Sequence, residues 1–362
     1  GHSTMPLLIG VDPDQLPPRQ SRERPPVNLA LVLDRSQSME GEKFELMLDA
    51  ACRAVKSVKP QDGLAVVFFD DDVRTLYSGK ANKPDAVCEA IRGVSVGSST
   101  NLCGGWHRGA ELLREVGAMG ELSRVVLFTD GEANRGIVEP ASICSQVKEW
   151  QSRGVQTTTL GFGQGYNEDL LRRMASSGQG NHGYIEDSER LSGFFELEMG
   201  GLLKARGSNV RLSVRPTEGV KLRWLADLTE EEGRVCLANL VEGEPLVVLA
   251  ELEIEGAPPD RLAALELSWL DLESKEPRRQ VLDLQLPVVD RKSWELLDSD
   301  PQVQAQLARA RAEWFRQGAM HLLRERMDEV ALHVLDLALE LENLPDEDRR
   351  ILQDLIGTTE AG

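Results

Sequence analysis

The chain has 362 residues, of which 41 % are hydrophobic and 28 % charged, proportions that suit a globular protein of two or three domains with a sizeable core. Its formal net charge of −19 argues against nucleic acid and anionic membranes as partners, because their phosphates would be repelled. The 5 cysteines are scattered at positions 52, 88, 103, 144 and 236, with no pair at metal-ligand spacing, and no apolar stretch approaches the length of a membrane span. Dispersed thiols suit a reducing compartment, so a cytoplasmic location is expected.

Residues 1–27 open with "GHST" before Met5, which has the form of a tag remnant. The short apolar "PLLIG" and a Pro- and Arg-rich connector follow. From 28 to 204 strands and helices alternate. "NLALVLD", "GLAVVFFD", "SRVVLFTD", "VQTTTLGFG" and "HGYIED" read as strands, and "VRTLYS" as a hairpin return beside the second of them. The segments between them, such as "EKFELMLDAACRAVKSV" and "PASICSQVKEWQSRG", carry apolar residues at helical spacing. "SERLSGFFELEMGGLLKAR" closes this region as a helix. Uninterrupted apolar strands between amphipathic helices predict a doubly wound α/β fold with a mostly parallel, six-stranded sheet covered on both faces.

Near residue 205 the pattern changes. "NVRLSVRP", "VKLRWLA", "RVCLANL", "PLVVLAELEI", "LAALELSWLD" and "RQVLDLQLPVV" alternate apolar and polar residues between Gly, Pro or acidic turns. This predicts an antiparallel β-sandwich over 205–290, to which residues 5–12 are a candidate further strand. Residues 291–362 read as helical, with Asp300-Pro301 as a helix start and a stripe including Leu307, Trp314, Leu322 and Leu332 that needs a packing partner.

Two strands of the α/β region end in a carboxylate: "LVLD" at Asp34 and "VVLFTD" at Asp130. Ligands of open parallel sheets bind beyond the carboxyl ends of strands, where strand order reverses. If these two strands are neighbours, Asp34, Ser36, Ser38, Thr100 and Asp130 converge on one small volume. All five offer oxygen and none offers nitrogen or sulfur. That donor set suits Mg²⁺, with Mn²⁺ or Ca²⁺ as substitutes. Ser36 and Ser38, at alternate positions, present both hydroxyls to one side of an extended loop. Two carboxylates neutralise the ion and the hydroxyls add no charge, so the ion keeps an attraction for one more anionic ligand, such as a carboxylate of another protein. The bland alternative is that these are ordinary helix-capping and turn residues.

"DRSQS", "STN" and "TDGEAN" resemble the metal-ion-dependent adhesion site of a von Willebrand factor A domain, and the likeness extends through "LGFGQGYNEDLL" and "GYIED". The continuation into strands and a helical tail is similar, more loosely, to bacterial proteins of the inter-alpha-trypsin-inhibitor heavy-chain type. The resemblance implies that Ser36 and Ser38 bind the ion directly, that Thr100 does so directly or through water, and that Asp34 and Asp130 bind directly or from behind the ligands. Gln37 departs from the commonest motif, where glycine is frequent, and Arg35 is a candidate to offset local negative charge.

The function expected is a non-catalytic, divalent-cation-dependent protein interaction module or scaffold, its partner offering an acidic side chain. By family resemblance, such proteins work with an ATPase or another component of a multi-protein system. Two alternatives stand beside it. One is a Mg²⁺-dependent phosphatase or phosphotransferase, although Ser36 occupies the place where haloacid-dehalogenase-type enzymes carry a second Asp as general acid/base. The other is a scaffold that binds through its sandwich and helices, with a vestigial metal site. Among weaker signals, Asp70, Asp71 and Asp72 form an acidic turn, Trp106 and His107 are candidates for the metal rim, and "GFGQG" lacks the residues of a phosphate loop.

Overall fold

The computed structural model describes residues 2–18, 24–117, 121–130, 133–162, 166–185, 194, 200–202, 204–225, 228, 230–231, 233–256, 259–285, 300–324 and 326–361. Three bodies of secondary structure follow one another along the chain. The first is a six-stranded sheet built from β2 (Val27–Asp34), β3 (Gly63–Phe69), β4 (Val73–Lys80), β5 (Leu122–Thr129), β6 (Val155–Phe162) and β7 (Gln179–Ile185). Its spatial order is β4-β3-β2-β5-β6-β7, parallel throughout except for the antiparallel hairpin β3–β4. The helices α1 (Glu42–Ser57), α2 (Pro84–Arg92), α3 (Leu102–Val116), α4 (Pro140–Ser152) and α5 (Glu168–Ser177) cover it.

The β2 pattern explains the double cover. Every residue of "VNLALVLD" is buried. Leu29, Leu31 and Leu33 join α1 and α2 in one core, while Ala30 and Val32 join α3, α4 and α5 in another. A strand with apolar side chains on both faces has no solvent face to offer, and each fully buried leucine contributes about 2 kcal/mol. The strand order reverses between β2 and β5, which lie side by side in parallel register. Asp34 and the residue after Thr129, Asp130, therefore emerge at the same sheet edge.

The second body consists of two antiparallel sheets. One has the order β1-β13-β9, from β1 (His2–Val11), β13 (Leu246–Glu255) and β9 (Val220–Trp224). The other has β10 (Glu230–Glu231), β11 (Arg234–Cys236), β8 (Ala205–Pro216), β14 (Arg261–Asp271) and β15 (Pro277–Gln285) in that order, with β12 (Leu240–Val241) also on β8. Val210, Leu212, Val248, Leu265 and Trp269 fill the space between them. β1 pairs with β13 from His2↔Glu255 to Val11↔Leu246, so the ladder includes the residues before Met5. The helix expected over 188–204 and the end of "RQVLDLQLPVV" fall largely outside the described residues.

The third body is α6 (Pro301–Arg324), α7 (Asp328–Leu339) and α8 (Asp346–Ala361). Asp300 caps α6 by accepting from the Gln302 and Val303 amides, with Pro301 as its first residue. The apolar stripe needs one correction: Trp314 is 72 % exposed and stands outside the packed seam. Ala308, Ala312, Ala319, Ala331, Leu335 and Ala338 form that seam, because small side chains let the helix backbones approach closely.

Candidate metal centre

Three loops meet at the carboxyl edge of β2 and β5. The first runs from Asp34 to Ser38. Asp34 Oδ1 accepts from the Ser36 amide at 2.8 Å, which curls the loop back over the strand end, and the Ser36 and Ser38 hydroxyls share a 3.1 Å hydrogen bond. Asp34 Oδ2 accepts from the Thr129 hydroxyl of the neighbouring strand at 2.5 Å. Asp34 is fully buried, and burial pushes its carboxyl up to about 6; the Ser36 and Thr129 hydrogen bonds oppose the rise and the nearby charge of Asp130 adds to it.

The second loop carries Thr100. It is sewn to the first by two backbone bonds, Gln37 N–H to Ser98 C=O at 2.8 Å and Gly97 N–H to Arg35 C=O at 2.6 Å. Gly97 is required by close approach, since a Cβ there would sit 1.9 Å from Asp70 Oδ2. The third loop follows Asp130. Asn134 Oδ1 accepts from the Thr100 amide at 2.8 Å, and the Asn134 and Arg135 amides both donate to the Thr100 carbonyl at 3.1 Å. Thr100 is buried and fixed by the chain that leaves β5.

Asp34, Ser36, Ser38, Thr100 and Asp130 are thus drawn to one edge by three interlocked loops. Among the described residues no three His, Cys, Asp or Glu side chains converge as a metal cluster; the candidate donor set joins two carboxylates to three hydroxyls. The fit to a hard cation rests on Asp130. Its Oδ1 is buried with no hydrogen-bond partner, while Oδ2 lies 3.7 Å from Lys43 Nζ. A buried carboxylate oxygen left unpaired is costly, and an oxygen-seeking ion removes that cost. The other four candidates on the interlocked loops, an aspartate, two serines and a threonine, also offer only oxygen, a combination that suits Mg²⁺ or Mn²⁺ better than a soft metal.

Several neighbours stand apart from the expected rim. Trp106 is fully buried and donates from Nε1 to Thr157 Oγ1 at 3.0 Å, within the core beneath α3. His107 lies against the Trp150 ring and 3.6 Å from Glu111. The acidic turn is internally answered: Asp70 pairs with Arg35 at 2.9 Å and Asp71 with Arg135 at 3.2 Å. Arg35 therefore offsets the charge of Asp70, as one candidate role for it anticipated. Gln37 is exposed at the mouth of the loop. Sequence reasoning passed over Thr129, Asn134 and Lys43, which hold the candidate ligands. Thr129 and Asn134 both lie in "TDGEAN" and Lys43 in "EKFELMLDAACRAVKSV", but their roles depend on neighbours across the fold.

Comparison with known proteins agrees with this geometry. Residues 28–197 match the von Willebrand factor type A domain family. The chain is 29 % identical over 286 residues to the protein YfbK of Escherichia coli, covering 72 % of this chain and 50 % of that one. It is 29 % identical over 190 residues to inter-alpha-trypsin inhibitor heavy chain H1 of Sus scrofa, covering 49 % of this chain and 21 % of that one. The chain thus spans half or less of the length of these relatives. The solved structure of a von Willebrand factor type A protein from Catenulispora acidiphila shares the fold over 98 % of this chain and 88 % of its own, with a TM-score of 0.74 at 13 % identity. The ArnB paralog VWA2 from Sulfolobus acidocaldarius does so over 99 % and 88 %, with a TM-score of 0.62 at 19 % identity. The reversal of strand order between β2 and β5, the loops that meet there and the family match lead to one identification: residues 28–197 of this chain are a von Willebrand factor A domain.

Proposed function

We propose that this protein is a non-catalytic, divalent-cation-dependent interaction module, with Ser36, Ser38, Thr100 and Asp130 holding a Mg²⁺ ion and Asp34 supporting them from the strand end. The observation that carries the reading is the buried, unpartnered Oδ1 of Asp130 within an all-oxygen set at the switch point of the sheet. When bound, the ion supplies a Lewis-acidic position for one further anionic ligand, and an Asp or Glu side chain of a partner protein fits that requirement. The amino ends of α1 and α3 open toward the same edge, and their positive ends favour an acidic group over a neutral one. Catalysis is not part of the proposal, because Ser36 stands where a general acid/base would be needed. The net charge of −19 supports a protein partner over nucleic acid or an anionic membrane. The scattered thiols support a cytoplasmic setting, in which an ATPase or another component of a multi-protein system is the proposed kind of partner.

A displayed peptide library tests the reading. Selection on the full chain with Mg²⁺ should enrich peptides around an Asp or Glu, and the enriched peptides should lose binding in EDTA or on Ser36→Ala. Equal binding with and without the ion, or to the Ser36→Ala chain, would overturn it.

A further inference from the structure

Lys43 is the second residue of α1, five positions beyond Ser38. Its ammonium donates to the Ser38 carbonyl at 3.1 Å and lies 3.7 Å from Asp130 Oδ2. It therefore bridges two of the three loops that carry the candidate ligands. One oxygen of Asp130 faces this cation while the other is buried and unpartnered, so the chain itself answers part of the carboxylate's charge. The Lys43 side chain is 36 % exposed, and its flexible four-carbon stem has room to swing outward.

We infer that Lys43 is a tethered counter-cation of this centre, which competes with an incoming divalent ion for the Asp130 carboxylate and thereby sets how tightly the ion is held. The inference rests on the metal-centre reading proposed above. An ammonium and a divalent ion repel each other across one carboxylate, and the ammonium's own ion pair with Asp130 is lost when it leaves. Both effects weaken the ion's hold. Replacing the ammonium by a neutral group of similar length removes both and leaves the oxygen donors in place.

Isothermal titration of MgCl2, and separately MnCl2, into the metal-stripped full chain tests this with wild type, Lys43→Met and Lys43→Arg. Lys43→Met should tighten both ions about fivefold, a gain that shrinks as salt is raised. Lys43→Arg keeps the charge and should stay within about twofold of wild type. Lys43→Gln, a second neutral variant, should follow Lys43→Met, and thermal melting checks that each chain is folded. Equal or weaker affinity in the neutral variants overturns the inference and leaves the metal centre standing. Failure of every chain, wild type included, to bind either ion overturns the metal centre and the inference with it.

Discussion

Thr129 shows how much of this centre depends on residues that are not ligands. Its hydroxyl is the partner of Asp34 Oδ2, and it reaches Asp34 only because β5 lies beside β2. Thr129→Val keeps the shape and removes the donor. It should weaken Mg²⁺ binding by about 10- to 100-fold in a titration and lower stability by about 1–3 kcal/mol in a urea melt. A second residue-scale prediction concerns Asp62. It is fully buried, and burial raises its carboxyl, but the Arg24 guanidinium and the Lys59 and Val27 amides outweigh that and hold it below the ordinary carboxylate range. A depressed folded-state value means that the unfolded chain binds the proton more readily. Its stabilising contribution is therefore complete above the ordinary value of about 4 and is lost as pH falls below it. Asp62→Asn should lower stability at neutral pH and flatten the acid limb of a stability–pH profile; an unchanged acid limb would refute this role. The candidate ligands could be nominated because hard-cation chemistry favours oxygen donors. Thr129 and Arg24 were not, because a hydroxyl before a carboxylate and an arginine in a connector become informative only once a neighbour across the fold is known.

At the scale of elements, α3 places Thr100 by lying very close to the sheet. A Cβ on Gly105 would sit 2.5 Å from Phe69 Cγ, and one on Gly109 would sit 2.4 Å from Val32 Cγ2. Glycine in mid-helix forgoes about 1 kcal/mol of helix propensity, so its presence twice on one face marks close approach. Gly109→Ala should gain that propensity and still destabilise by about 1–3 kcal/mol through overpacking. A chain more stable than wild type in urea would show that the sheet yields easily. The start of α3 is held by Asn101, whose Oδ1 accepts from the Gly104 amide at 3.1 Å. The glycines of "GGWHRG" read as ordinary helix positions from periodicity alone, since a hydrophobic pattern records which face is buried and not how near the neighbour stands.

At the scale of the molecule, the α/β domain and the sandwich meet through a buried polar contact. Gln156 Nε2 donates to Asn239 Oδ1 at 3.0 Å, Asn239 Nδ2 donates to Gln156 Oε1 at 2.9 Å, and Arg124 donates to the same Gln156 oxygen at 2.7 Å. Ala205, Val241 and Leu272 of the sandwich extend the core of one face of the parallel sheet. Asn239→Ala leaves the Gln156 amide buried without its partner. It should cost about 1–3 kcal/mol, read as a lower transition temperature by calorimetry. No change would mean that the two bodies are held by apolar contact alone.

The strand and helix alternation, the change to antiparallel strands after residue 205 and the helical tail were determined by the sequence itself, which also nominates the five candidate ligands. Periodicity and oxygen chemistry are local properties, and an ordered list of residues carries them in full. Tertiary structure alone decided that β2 and β5 are neighbours, that Asp130 keeps one oxygen unpartnered, that Lys43 stands over the other, and that Trp314 faces solvent while alanines pack. Those facts depend on register and on distances between segments far apart in the chain. Backbone pairing and close packing set such distances, and neither leaves a mark in the spacing of residue types.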